Sequence, residues 1–360
     1  MENVKGFYPI EGFTVLLLLI TGLTGCNFVG DIFSPEAFLY RLGAESKLTS
    51  YLVDAEQIDG NLFSGTSYGG KVYLIKSMDN DVEAICLMDE KEFVLDYTYS
   101  VRPPAVNLCE SYRVVHAFSD KWGTTCVTGL SGDRIRIPSQ GTTAEYIPPE
   151  DYEYNYMQFY FSFNSKDYII LFDRSPLSGA EIIEREGGTS VVTFPRLEGY
   201  MFWDFEYNQE LQKLYIVFIP YHSTESIDES FRAPVTVKIA VLTLSDISSW
   251  TSEGFPYGGK EITLYMEKEI WWSETKENNG IWYNIPHDLI CSIGKEGILF
   301  YMGYYGLDSS YLFSHDGSLK MILPSESGYT KRRFISSTEP IFYDLRGGTI
   351  FKYAIKEVVK

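Results

Sequence analysis

Leu312-Phe-Ser-His-Asp316-Gly-Ser-Leu-Lys320 is an apolar strand end, a polar turn centred on Asp-Gly, and the start of a second strand. The same form recurs as Cys86-Leu-Met-Asp89-Glu-Lys-Glu-Phe-Val94, Leu171-Phe-Asp173-Arg-Ser-Pro-Leu177 and Phe342-Tyr-Asp344-Leu-Arg-Gly-Gly-Thr-Ile350, with weaker members around Asp133 and Asp246. Between the turns lie short runs such as Lys71-Val-Tyr-Leu-Ile75, Phe159-Tyr-Phe-Ser-Phe163, Leu214-Tyr-Ile-Val-Phe218, Val235-Thr-Val-Lys-Ile-Ala-Val-Leu242 and Ile298-Leu-Phe-Tyr301. β-Branched and aromatic side chains pack well on a pleated, half-buried surface, so the chain reads as all-β. Its 16% aromatic content, with 28 Tyr and 23 Phe in 360 residues, points the same way. With 45% apolar and 22% charged residues, disordered and low-complexity classes are excluded.

The spacing of the turns extends the reading from hairpins to a repeat. Asp89, Asp133 and Asp173 are about 40 residues apart, and the intervals to Asp246 and Asp316 are near twice a period of about 36. Tyr207-Asn208-Gln209 and Lys276-Glu-Asn-Asn-Gly280 supply the hairpins missing from the two long intervals. Units of about 40–45 residues with four short strands resemble β-propeller blades, an architectural likeness without a WD dipeptide or other family signature. Each blade has two apolar faces that it cannot bury alone, and neighbours around a ring cover them. The body therefore reads as a single β-propeller of about seven four-stranded blades, with six or eight also fitting the length. Tandem β-sandwiches are the alternative. Thr349-Ile-Phe-Lys-Tyr-Ala-Ile355 is placed to complete an N-terminal blade and remove the open edge. Residues 139–155 and 220–234 read as polar surface loops, and no Pro/Gly/Ser-rich linker divides the body.

Upstream, Phe13-Thr-Val-Leu-Leu-Leu-Leu-Ile-Thr-Gly-Leu-Thr-Gly25 is uncharged and mostly apolar. As a helix it reaches only about 20 Å, short of the roughly 20 residues a bilayer core needs, so it reads as the h-region of a signal peptide. Leu23-Thr24-Gly25-Cys26 at its end resembles the lipobox of bacterial lipoproteins. That resemblance covers only the first 27 residues. It implies cleavage before Cys26 and acyl chains, palmitate among them, on the Cys26 sulfur. The n-region departs from the pattern, because Lys5 is opposed by Glu2 and Glu11. Each buried CH₂ contributes about 0.8 kcal/mol, so more than one chain holds a soluble body firmly at a membrane. Asn27 is not the Asp that in some bacteria resembles an inner-membrane retention signal, which favours the outer membrane over the periplasmic face of the inner membrane or the cell surface. The expected organisation is a signal peptide over 1–25, a tether with a short helix over 26–50, and the propeller-like body over 51–360. Ser34 as N-cap, Pro35 at N1 and Gly43 at C′ mark that helix.

Lys plus Arg number 30 against 49 Asp plus Glu, a net charge of −19 that repels phosphate backbones and argues against nucleic acid as a partner. Beyond Cys26 the cysteines are Cys86, Cys109, Cys126 and Cys291; they read as free buried thiols, with Cys109 and Cys126 the first pair to test for a disulfide. Gly65-Thr-Ser67-Tyr-Gly69 matches the hydrolase G-x-S-x-G pattern, but a strand follows where that motif needs a helix. Tyr68-Gly-Gly-Lys71 and Tyr257-Gly-Gly-Lys260 read as turn glycines rather than phosphate loops. Ser273-Glu-Thr-Lys276 and Ser292-Ile-Gly-Lys295 have the S-x-x-K spacing without its helical context. No zinc spacing occurs, and Asp79-Asn-Asp81-Val-Glu83 lacks the Gly and distal Glu of a calcium loop, so no metal and no cofactor is expected. Ser314-His-Asp316-Gly317 departs from the Asp-box of sialidase-type propellers, Glu267 and Glu269 read as alternate solvent-facing residues, and Lys331-Arg332-Arg333 reads as a solvated loop. His116, His222, His287 and His315 are scattered and read as structural or exposed.

Aromatic clusters near turns remain as candidates for contact with a partner: Trp271, Trp272, Trp282, Tyr283, Tyr304 and Tyr305. Exposed rings stack on sugars or anchor proteins at low entropic cost. No catalytic residue is singled out. The reading is of a non-enzymatic, lipid-anchored binding or assembly module of the cell envelope, with a protein or glycan partner. A glycan-active propeller enzyme, which would need two carboxylates or a His–carboxylate pair converging in a pocket, is the alternative. A purely structural envelope protein is the third.

Overall fold

The computed structural model describes residues 48–78, 81–105, 116–129, 131–151, 157–175, 177–220, 222–223, 235–244, 260–264, 272–278, 281–286, 289–302, 310–323 and 332–357. The lipobox with Cys26, the expected helix over 34–43, Cys109, Trp271, Tyr304 and Tyr305 lie outside them.

Two-residue turns decide the local structure. Tyr68 pairs with Lys71 across Gly69-Gly70, both at positive φ, and Phe163 pairs with Lys166 across Asn164-Ser165, also both positive. That backbone is the turn whose twist matches two right-twisted strands, and it favours Gly and Asn. Tyr68-Gly-Gly-Lys71 is accordingly a hairpin turn.

β1 (Leu48–Gln57) precedes a first antiparallel unit of β2 (Asn61–Tyr68), β3 (Lys71–Met78), β4 (Asp81–Asp89) and β5 (Leu95–Ala105). The second unit is β6 (His116–Ser119), β7 (Thr125–Thr128), β8 (Arg134–Ile137) and β9 (Thr143–Ile147); the third is β10 (Met157–Phe163), β11 (Lys166–Phe172), β12 (Ala180–Glu184) and β13 (Thr189–Phe194). The fourth comprises β14 (Tyr200–Asn208) and β15 (Lys213–Pro220), then, beyond β16 (His222–Ser223), β17 (Val235–Thr243) and β18 (Lys260–Leu264). A hairpin of β19 (Trp272–Asn278) and β20 (Ile281–Pro286) takes β16 as its third strand. The fifth unit is β21 (Leu289–Gly294), β22 (Gly297–Met302), β23 (Ser310–Phe313) and β24 (Leu319–Leu323). The last joins β25 (Arg332–Ile335), β26 (Ile341–Arg346) and β27 (Thr349–Glu357) to β1, in the order β1-β27-β26-β25.

This is a β-propeller. The first strands of successive units touch in sequence, with β25 on β2, β2 on β6, β6 on β10, β14 on β21 and β21 on β25. Phe161 against Tyr207 and Phe159 against Phe205 carry the ring from β10 to β14. Six four-stranded units are described. The β16-β19-β20 sheet does not intervene between the fourth and fifth, because β14 meets β21 directly. Thr349–Glu357 closes the ring on the N-terminal strand, with Gln57 opposite Thr349.

The core lies between units. Phe159, Phe161, Phe172 and Phe194 of the third and Phe202, Phe205 and Phe218 of the fourth form one cluster, each ring worth about 1.5–3 kcal/mol on burial. Two glycines permit the closest approaches. A Cβ on Gly65 would meet the Phe334 ring at 2.6 Å, and one on Gly294 would meet the Ser336 carbonyl oxygen at 2.2 Å.

Three expectations are corrected. Residues 139–155 are not all loop: β9 pairs with β8 and, in parallel, with β5, joining the first two units at their rims. Only Ala144 of that strand is deeply buried, so its apolar signal is faint. Asp344 stands inside β26, while Asp89 and Asp316 sit between the third and fourth strands of their units and Asp133 between the second and third. Arg333 is no solvated loop residue: its Nε and Nη2 donate to the two oxygens of buried Asp344 at 2.6 and 3.2 Å. No helix of the described residues is long and apolar enough to cross a membrane.

Candidate functional site

The first hairpin turns of the units gather at one end of the ring, and named hydrogen bonds tie them together. Gln209, beyond the end of β14, accepts from the Tyr68 hydroxyl at 2.8 Å and from the Ser119 amide at 3.1 Å, bridging the ends of β2 and β6. The Lys121 amide donates to Asp167 at 3.0 Å, and the Lys295 amide to the Ser336 carbonyl at 3.0 Å.

At this end Trp122 is 65% exposed, the most exposed large apolar side chain among the described residues. Its position follows from the chemistry of Asp120-Lys-Trp-Gly-Thr124. Asp120 Oδ1 accepts from the Trp122 and Thr124 amides at 3.0 and 2.8 Å, while the Asp120 amide donates to the Thr124 carbonyl at 2.8 Å. An Asp that captures amides two and four residues on locks a turn. The indole is thus held outward on a rigid loop, with Lys121 Nζ 4.3 Å and the Arg136 guanidinium carbon 5.7 Å from its ring centroid. Lys121 is paired with Glu186, and Arg136 with Glu145 at 3.2 Å. Leu211, in the β14–β15 turn, is also exposed at this end.

Beneath the Gln209 bridge, about 10 Å down the strands at roughly 3.3 Å per residue, lies a buried ionisable cluster. His116 Nδ1 of β6 stands 3.7 Å from Glu206 Oε2 of β14, and both side chains are buried. Asp204 and Cys291 are buried with them. Burial lowers His116 to about 3. Burial, with Asp204 as a second cause, raises Glu206 well above the usual carboxylate range. Burial and then the two acids raise the Cys291 thiol. A buried site penalises charge, so the imidazole is neutral and Glu206 carries its proton. His116 Nε2 and Glu206 Oε1 find no hydrogen-bond partner among the described residues. No group of three or more His, Cys, Asp or Glu among those residues is placed to hold a metal ion.

Ser67 of Gly65-Thr-Ser-Tyr-Gly69 belongs to a different assembly. Its hydroxyl donates to Glu90 Oε1 at 2.9 Å and accepts from the Ser337 amide at 3.0 Å. Glu90, almost wholly buried, also accepts from Tyr343 at 3.1 Å and Thr338 at 2.6 Å, while Lys352 Nζ donates to the Glu90 carbonyl at 2.5 Å. Ser67 is a strut across the seam between the first and last units.

The aromatics expected from sequence fall elsewhere. Trp272 lies on β19, and Trp282 and Tyr283 on β20, where Trp282 is opposite Glu277 and Tyr283 opposite Lys276. The pairing puts three of the six on one hairpin, outside the six-unit ring. Cys86, Cys126 and Cys291 are buried free thiols.

No protein-family model matches the chain, and no curated protein matches it in sequence. Among solved structures it is similar to a Kuenenia stuttgartiensis hydrazine synthase chain, at 9% identity and TM-score 0.47 over 84% of this chain and 97% of that one. It is also similar to the WD40 β-propeller domain of Doa1, at 10% identity and TM-score 0.43 over 85% and 97%. A third is the β-propeller domain of Myceliophteria thermophila Cps50 (Swd1), at 10% identity and TM-score 0.41 over 86% and 100%.

Proposed function

We propose that the protein is a lipid-anchored, non-enzymatic binding or assembly module of the cell envelope, held through Cys26 and presenting the Trp122 end of its ring to a protein or glycan partner. The observation that carries this is the exposed Trp122 indole on a turn locked by Asp120. Rigid aromatic anchors flanked by cations contribute the largest single shares of binding energy at interfaces. Placing a photo-reactive side chain at position 122 or at Val241, which faces solvent from β17, tests it. Adducts to envelope components are expected from 122 alone, and equal yields from both positions would sink the proposal. Anchoring is tested by Cys26→Ser, which should abolish acyl labelling and release the protein from membranes.

A second reading, an enzyme acting on envelope glycans, is favoured by the His116–Glu206 pair beside Asp204. It requires that His116→Gln and Glu206→Gln each abolish glycan hydrolysis while leaving binding through Trp122 unchanged.

A further inference from the structure

Six of the nine exposed large apolar side chains among the described residues fall at one rim of the ring: Tyr51, Leu52 and Val53 on β1, and Val94, Leu95 and Tyr97 at the start of β5. β1 is the outermost strand of the closing unit and β5 the fourth strand of the first. The two units meet at the seam, where Lys352, opposite Asp54 of β1, donates to the carbonyls of Glu90 and Lys91 in the turn that leads into β5. Both groups of apolar residues therefore flank one seam.

An edge strand that faces only water protects itself with charge or proline. β1 instead exposes three successive apolar residues, at 41%, 51% and 51%, because a bulge between Leu52 and Asp54 breaks the alternation that would turn one of them inward. Lys356 Nζ lies 4.4 Å from the Tyr51 ring centroid, while exposed Asp54 borders Val53 and Glu56 lies two residues further along. A tyrosine with a lysine beside it and aliphatic side chains next to it matches the headgroup layer of a bilayer, where the ring and methylenes sink and the ammonium meets phosphate.

We propose that this rim rests on the lipid surface, so that the ring stands on its edge against the membrane that anchors it. The inference rests on acylation of Cys26. About 20 residues separate Cys26 from Leu48, a reach of at most roughly 70 Å. β1 is the first described strand after that tether, and at so high an effective lipid concentration a small apolar patch suffices. The chain's net charge of −19 opposes an anionic membrane; at this rim Asp96, between Leu95 and Tyr97, is paired with Lys71, and Lys356 lies by Tyr51, so the apolar side chains lead the contact. The Trp122 end then opens along the membrane rather than into it.

The test uses the full acylated chain on vesicles of phosphatidylethanolamine and phosphatidylglycerol, with a benzophenone side chain replacing Leu52, Leu95 or Leu211 in turn. Phospholipid adducts are expected at 52 and 95 in excess of 211 by on the order of tenfold, and Leu52→Glu with Val53→Glu should abolish those at 95 without loss of co-flotation. Co-flotation without lipid adducts at 52 and 95, equal adducts at 211, or adducts to a second copy of the chain would each overturn the rim assignment while leaving the anchor intact. Failure of the acylated chain to float would overturn the anchor and the rim together.

Discussion

Glu90 and Glu206 are both glutamates under a tenth exposed, and their surroundings could hardly differ more. At the seam, Glu90 receives hydroxyls from Ser67, Thr338 and Tyr343 on its two oxygens and a lysine on its carbonyl. At the centre, Glu206 has one oxygen 3.7 Å from His116 and the other without a partner among the described residues. A buried acid whose lone pairs are all answered stiffens the structure around it; one left half-answered holds its proton and weakens the fold. The same residue type thus serves as a joint in one place and as an uncompensated cost, or a chemical resource, in the other.

The largest test of this contrast is Glu90→Ala, which removes the acceptor of three hydroxyls, those of Ser67, Thr338 and Tyr343, and should lower unfolding free energy by about 3 kcal/mol in urea titration. A loss below 1 kcal/mol would mean that the seam is not held there. Gly65→Ala should cost about 1–3 kcal/mol, because the new methyl meets Phe334 across the same seam. The centre should respond to pH instead. The raised Glu206 makes the folded state bind a proton more tightly than the unfolded chain, so stability falls as pH rises from the ordinary glutamate range towards its folded value. His116, lowered to about 3, acts in the opposite sense, and stability falls as pH drops below about 6.5 towards 3. Glu206→Gln should therefore gain on the wild type as pH increases, and His116→Gln should flatten the acid limb. Parallel melting curves for wild type and both variants from pH 4 to 8 would contradict the assigned protonation states. Trp122→Ala should move stability by no more than about 0.5 kcal/mol, since its ring packs on little besides Lys121 and Arg136, while weakening partner binding by 2 kcal/mol or more.

Much of the ring is legible from short-range chemistry. Tyr68-Gly-Gly-Lys71 and Arg346-Gly-Gly-Thr349 are hairpin turns because positive φ selects glycine, at both central positions of the first and at Gly347 of the second. The aspartate spacing leads to the right architecture through non-equivalent positions, since Asp89 lies between third and fourth strands and Asp133 between second and third. What repeats is the length of a four-stranded unit, and turn chemistry only approximates it. The fourth unit hides the period, because the β16-β19-β20 sheet is drawn from its long connections. In sequence Glu90 is one residue of the polar turn after Asp89, and its burial is imposed by segments from the other end of the chain. His116 and Glu206 meet for the same reason, across sheets far apart in sequence. Trp122 was within reach: an indole in a five-residue turn closed by Asp has nothing to fold against, a signal that the emphasis on clustered aromatics passes over.

The pairing of β1 with β27 also orders events in time. β1 has no edge to join until Thr349–Glu357 has been synthesised. Throughout that interval the nascent polypeptide cannot lock its circle, and Tyr51, Leu52 and Val53 travel with their backbone unclaimed. Completion is therefore a late, single step, and a chain cut short before Thr349 would be expected to leave every earlier hairpin without a clasp.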